Sequence, residues 1–574
     1  MEILLLVLET FALASCCKGL QAIISDLILT SFFSAFSTAD QATKLPQLEL
    51  KSHPCDRKCQ SGEEPKTCSY KFEVEYTGTL NKACFNCPLN MTDCYRPECN
   101  PTDGFERTIV TVNREIPGPE IVVCKGDTVV VEVLNKLPAT TTSVHFHGLF
   151  MHGEKDATIG YEEKNPQATP WSDGVPGVTQ CPILPGQTFK YKFVANPAGT
   201  HWWHSHAALQ REDGMYGKFI IKEPDEENIH RNLYDEDLSE HVMIIEDWVH
   251  KSGIDMFVPH HWDDGSNKAV SFLINGMGRF KNFGVNKYPG LFTPVEELFV
   301  EQGKRYRIRV INAGVSLCPV EMSIEGHTLK VISSDGADIE PIQVKSLVLH
   351  NGERYDVVID TTNKVERTYL IKFGGLMDCG ANKIHGTALL KYKNQRHLVD
   401  QNKILKGPTK YSSYINIPGK QLNSINRGQG DPMKVSVADM RSARNEILKP
   451  ADRTIYLSYV FHDESNPEYY DDSLYSFKDV IGKNNLRTPK MNNISLAFPV
   501  SPLLSQIEDV DSTMFCNSEN LDPEIHCKGG FCSCYHLYQL NYGEEVDVFI
   551  IDEGLPWDVS HPFHLHGFHF KVKF

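Results

Sequence analysis

EIPGPEIVVCKGDTVVVEVLN, residues 115–135, reads as two Val-rich strands divided by the turn Lys125-Gly126-Asp127. The same texture runs outward in both directions. ERTIVTVN (106–113) precedes it and TSVHFHGLF (142–150) follows, then HVMIIEDWV (241–249), EQGKRYRIRVINAG (301–314), KSLVLHNGERYDVVIDT (345–361), ADRTIYLSYV (451–460) and YGEEVDVFIID (542–552). Long helical periods are rare, so the chain is expected to be all-β, with three Greek-key β-sandwiches. GDTVVVEVLN (126–135), GKRYRIRVIN (303–312) and GEEVDVFIID (543–552) each place a Gly-led turn before a strand of similar length, a repeat at domain-scale spacing. The expected boundaries are 104–225, 235–395 and 450–574, and the polar, turn-rich stretch 396–449 is expected to be a linker.

The 574 residues carry 57 basic and 74 acidic side chains, a formal charge of -17, which disfavours nucleic acid or an anionic membrane face as the main partner. The apolar runs EILLLVL (2–8) and LQAIISDLILTSFFSAF (20–36) place a secretory targeting segment within residues 1–37, and no later run is long enough to span a bilayer. Seventeen cysteines agree with an oxidising, extracellular destination. Cys55, Cys59, Cys68, Cys84, Cys87, Cys94 and Cys99 crowd residues 55–103, a segment too short and polar for much core, so disulfides are expected to hold it. A zinc module on Cys84 and Cys87 is the rival reading. Asn90 and Asn493 head N-x-S/T sequons and are compatible with glycosylation.

Three histidine pairs carry the chemistry: His145-Phe-His147, His204-Ser-His206 and His564-Leu-His566. On a strand, residues i and i+2 project from one face about 6.6 Å apart, so each pair presents two imidazoles to one cavity. Neutral imidazole suits copper. With 23 histidines, chance alone supplies about one such pair. Three pairs, in the contexts SVHFHGLF, THWWHSH and HPFHLHG, exceed it. His561 precedes His564 by an odd interval with Pro562 between them, so it faces away from the pair and suits a second, separate metal centre. His152, His201 and His569 are expected to pack or to support the ligands.

HFHG (145–148), SDGVPGVTQCPI (172–183), HWWHSH (201–206), QREDGMYGKFI (210–220) and HPFHLHG (561–567) together resemble the multicopper oxidase family. The Cys-rich segment is similar to the amino-terminal extension of its insect laccase-like members. The resemblance covers residue 55 to the end and implies cupredoxin-like sandwiches holding four coppers: one type 1, one type 2 and two type 3. By motif position it implies type 2 ligands at His145 and His564, type 3 ligands at His147, His204, His206 and His566, and a type 1 ligand at His561. Asp173 resembles the family's carboxylate near the type 2 solvent ligand and would help deliver protons; its bland reading is an Asx turn. Phe146 stands where the family usually has Trp, a change of size expected to matter little. The family's fourth motif, His-Cys-His, is absent before Phe574. The third sandwich is therefore expected to be truncated and the fragment inactive as it stands. Setting aside Cys16 and Cys17 leaves fifteen cysteines, an odd number, so a disulfide partner is expected beyond the end.

The resemblance implies a laccase-type oxidase that couples one-electron oxidation of phenols or diphenols to reduction of dioxygen to water. Its expected partners are a small reducing substrate and dioxygen. A ferroxidase or an ascorbate oxidase uses the same metals, and the residues do not choose among them. Acidic clusters at 235–240 and 462–472 suit Fe²⁺ or, equally, a solvated surface. A copper-poor, non-catalytic binding protein is the alternative of a different class. A two-domain copper nitrite reductase fits less well, because three sandwiches are read.

Overall fold

Alternation of buried and exposed residues builds the first sandwich. In Thr128–Asn135 every second side chain is buried, and Thr67–Gly78 shows the same period, so each strand turns a Val/Phe face inward. The computed structural model describes residues 53–151, 169–262, 266–280, 291–392, 405, 410–425, 431–444, 449–462, 488–528, 531–554 and 560–573. The expected targeting segment, His152 and most of the 462–472 cluster lie outside them.

One sheet of the first region runs in the order Thr108–Val112, Thr67–Gly78, Thr128–Asn135, Thr188–Val194. The other runs Ile121–Cys124, Tyr216–Lys222, Gly199–Ser205, Val144–His147. Phe72, Val129, Val131, Val133, Phe146, Tyr191, Trp203 and Phe219 fill the space between them.

The segment 55–103 was expected to be a disulfide-held unit apart from this sandwich, yet it contributes a central strand. Thr67–Gly78 pairs in parallel with Thr128–Asn135, from Thr67 opposite Thr128 to Val74 opposite Asn135. Cys55 bonds Cys68 within the segment and Cys59 bonds Cys124, which ties the segment to the edge strand of the other sheet, while Cys84–Cys99 and Cys87–Cys94 close its outer loops. Cys84 and Cys87 sit in different disulfides, so they form no zinc pair. Cys318–Cys379, Cys516–Cys534 and Cys527–Cys532 complete the bonds among the described residues. The odd cysteine is Cys181, exposed and unpaired among those residues.

The second region stacks two seven-stranded sheets around Phe272, Ile308, Val310, Met322, Val331, Leu347, Val357 and Phe373. The expected linker is partly built into it. Gln421–Leu422 pairs in parallel with Ser346–Leu349, and Lys434–Val435 extends the same sheet. The third region contributes, among the described residues, one sheet with Arg453–His462 and Val546–Asp552 at one side. Val548, Phe549, Ile550 and Ile551 on that edge strand are exposed. No helix among the described residues is long and apolar enough to cross a membrane.

The first two regions meet over a second apolar layer, in which Trp202, Tyr216 and Ile220 pack with Val242, Ile244, Trp248 and Ile311. This seam continues the face of the strands that carries His145, His147 and His204.

Candidate metal centre

Strand pairing converts two sequence motifs into one surface. Val144–His147 lies antiparallel to Gly199–Ser205, with His145 opposite His204, Phe146 opposite Trp203 and His147 opposite Trp202. Because alternate residues face opposite ways, His145, His147, His204 and Trp202 share one face, while Phe146 and Trp203 point into the sandwich core. Phe146 lies 5.4 Å from Tyr191 and 4.7 Å from Phe193, ring to ring, and acts as the apolar wedge beneath the imidazoles.

His564 and His566 close the group from the other end of the chain. His564 stacks on His147 at 3.9 Å, and the ring of His566 lies 4.1 Å from His145 and 5.1 Å from His206. His204 and His206 stand 5.4 and 5.7 Å from His145. Six imidazoles thus line one cavity.

Hydrogen bonds fix which ring nitrogens look inward. Nδ1 of His145 donates to the carbonyl of Asp173 at 2.7 Å, and Nδ1 of His204 donates to the carbonyl of Ser205 at 2.8 Å. Nδ1 of His566 lies 2.8 Å from Oδ2 of Asp173. Those bonds place lone pairs on the opposite nitrogens. Nε2 of His204 and Nδ1 of His147 are buried and meet no protein partner, and the Nε2 atoms of His145 and His564 face one another at 3.3 Å. Two lone pairs at that distance repel unless a cation or a proton is shared between them, so the donor set fits copper.

Burial is the largest cause holding His145, His147 and His204 below the ordinary imidazole range, and it brings His206 down to about 4. These rings are therefore neutral at pH 7, the form that binds metal. Asp173 is held well below the usual carboxylate range. Burial pushes it up, but the hydrogen bonds from His145 and His566 outweigh that.

His561 lines the same cavity, packed against two aromatic side chains of the third region. Its ring lies 5.1 Å from Phe461 and 5.9 Å from Tyr459. Among the described residues no cysteine or second histidine is grouped with it as a metal site, so the donors present do not by themselves fit a type 1 centre. His201 is buried with Nε2 donating to the Pro197 carbonyl, and His569 donates to the Gly148 carbonyl. Both brace the strands.

The second region supplies a wall that the motifs gave no sign of. Arg354 is buried and donates to the carbonyls of Thr200, Gly352 and Asp335, bridging the histidine strand to its neighbour. A Cβ on Gly352, at φ +87°, would sit 3.3 Å from the ring of His147. The only sequence signal was the turn in HNGERYD, which reads as an ordinary hairpin.

Stacked β-sandwiches with a polyhistidine cavity between the first and last define a cupredoxin-type copper protein. Three multicopper oxidase family models match residues 93–226, 239–395 and 499–573. Laccase-2 of Botryotinia fuckeliana is 35% identical over 482 residues, spanning 82% of this chain and 68% of the relative. The L-ascorbate oxidase of Cucumis sativus is 26% identical over 542 residues, spanning 88% and 78%. The crystal structure of the laccase from Botrytis aclada superposes with a TM-score of 0.56 at 25% identity, covering 79% of this chain and 70% of that one. Fet3p, a multicopper oxidase that functions in iron import, shares the fold with a TM-score of 0.54 at 22% identity over 79% and 70%. The chain belongs to the multicopper oxidase family.

Proposed function

We propose that this protein is a laccase-type oxidase that reduces dioxygen to water at a copper cluster held by His145, His147, His204, His206, His564 and His566. Small phenols or diphenols supply the electrons one at a time. The single observation that carries this reading is the convergence of six imidazoles in one cavity, with ring nitrogens of His145, His147, His204 and His564 that meet no other protein partner turned into it.

His145 and His564, whose Nε2 atoms face each other, are the type 2 ligands. His147, His204, His206 and His566 would hold the type 3 coppers, and His561 would serve a type 1 copper only together with a cysteine and a second histidine, which the described residues do not group with it. Bound copper supplies one-electron steps that four ions accumulate to match the four electrons dioxygen requires. Asp173 holds His145 and His566 in the tautomer that turns Nε2 inward, and its carboxylate is positioned to pass protons to the site. The disulfide set supports secretion to the extracellular space.

Oxygen uptake by copper-loaded protein in which a type 1 centre is also present, supplied in turn with hydroquinone, Fe²⁺ and ascorbate, tests the reading. The diphenol is expected to be oxidised fastest. Faster uptake with iron would make the protein a ferroxidase, and faster uptake with ascorbate an ascorbate oxidase.

A further inference from the structure

Glu246 is fully buried in Val242–Trp248, and neither of its carboxylate oxygens meets a protein hydrogen-bond partner. The hydroxyl of Tyr216 and the indole nitrogens of Trp202 and Trp248 are buried and unpartnered in the same way, and all three side chains belong to the apolar seam that continues the histidine face. Interior polar groups without protein partners are held by ordered water.

Arg211 connects this seam to the metal centre. It lines the histidine cavity, its guanidinium lies 5.8 Å from the ring of Trp202, and its charge acts on both Glu246 and His204. Trp202 in turn lies 4.3 Å from His204 and 5.1 Å from His147.

Most acids facing Glu246 are committed elsewhere. Asp247 accepts from the amides of Val315 and Ser316 at 2.8 and 2.7 Å, and Asp213 is bonded to Arg107 and to the amide of Gly253. Glu212 differs. It retains 6% exposure against none for Glu246, and one carboxylate oxygen lies beside Gly253 at the start of the helix Gly253–Trp262. Asp247, Arg211, Glu212 and Arg107 are the charged groups around Glu246, with Tyr216 across the seam. Burial first, then neighbouring acids, push Glu246 well up from the carboxylate range and Glu212 up to about 7.

We propose that Glu212 and Glu246 relay protons from solvent, through ordered water beside Arg211, to the His204 side of the histidine cluster, as a second route separate from Asp173. Reduction of one dioxygen to two waters takes four electrons and four protons. In each transfer the Glu246 carboxyl gives its proton to water on the way to the reacting oxygen and becomes a carboxylate. Glu212 then reprotonates it and is itself reprotonated by solvent, with no electron moved by either residue. The proposal rests on the copper reading above.

The test compares wild type, Glu246→Gln and Glu212→Gln, loaded anaerobically with Cu(I), counted for copper and mixed with dioxygen in H₂O and D₂O. Equal copper content is expected in all three. Glu246→Gln is expected to reoxidise about a hundredfold more slowly, with a changed pH profile and solvent isotope effect. Glu212→Gln, at the less buried position, is expected to slow reoxidation chiefly above neutral pH. Infrared spectra are expected to show a protonated-carboxyl carbonyl band at pH 7 that Glu246→Gln removes. Wild-type rates, profile and isotope effect in both variants, loss of copper from Glu246→Gln, or an infrared spectrum unchanged by it would each overturn the relay. A wild type that takes up no copper would instead overturn the copper reading, and the infrared band would still judge Glu246.

Discussion

Nδ1 of His566 lies 2.8 Å from Oδ2 of Asp173, so two residues 393 positions apart share one proton. The same aspartate accepts from His145 through its main-chain carbonyl, and one turn therefore orients imidazoles from two distant parts of the chain. Asp173→Asn keeps the shape but weakens this control of the imidazole tautomers. Copper affinity is expected to fall about 10- to 100-fold, read by competition with a chelator. Unchanged affinity would show that the turn is merely structural.

Gly174 explains why that turn fits. At φ +89° its Cβ would lie 2.0 Å from the Val144 carbonyl oxygen and 2.9 Å from Cα of His145. Gly174→Ala therefore forces the histidine strand to move, with a loss of about 2 kcal/mol or more in denaturant unfolding and a loss of copper affinity. Gly126→Ala is the control, since Gly126 has φ +90° but open space around it. It is expected to lose about 1 kcal/mol with no change in copper binding.

The metal-free protein carries a pH dependence of known sign. His206 is held at about 4 in the fold, while a free imidazole titrates near 6.5. Its depressed value means that the unfolded chain takes up the proton first. The contribution is thus fully present above about pH 6.5 and is lost as pH falls towards about 4, by about 3 kcal/mol. His206→Gln is expected to flatten this slope in melting temperature measured over that range.

Phe146 occupies a filled site, with Phe219 6.0 Å away beyond Tyr191 and Phe193. Phe146→Trp is expected to overpack it and lower stability by about 1–3 kcal/mol, measured by denaturant unfolding. The difference from the family's usual Trp is absorbed by these neighbours, so the reversed substitution is not neutral here.

The sequence made the histidine pairs legible because strand parity needs only local spacing. It concealed the place of the strand Thr67–Gly78, whose alternation sits inside the Cys-rich segment and whose partner lies across a parallel crossover. The strands Gln421–Leu422 and Lys434–Val435 are too short to show a period and form only against a finished sheet. Arg354, Arg211 and Glu246 gain their place from the seam between two regions, a relationship that no local pattern encodes. The odd cysteine count was visible from composition, but that Cys181 is the unpaired one follows only from where the other side chains meet.

The most direct test of the account is the copper content and electron spin resonance spectrum of the purified chain after anaerobic loading, compared with a variant carrying His145→Ala, His204→Ala and His564→Ala. The account expects wild type to retain several coppers through dialysis against a weak chelator, and the folded triple variant to retain almost none. Equal copper in both, or none in the folded wild type, would contradict it.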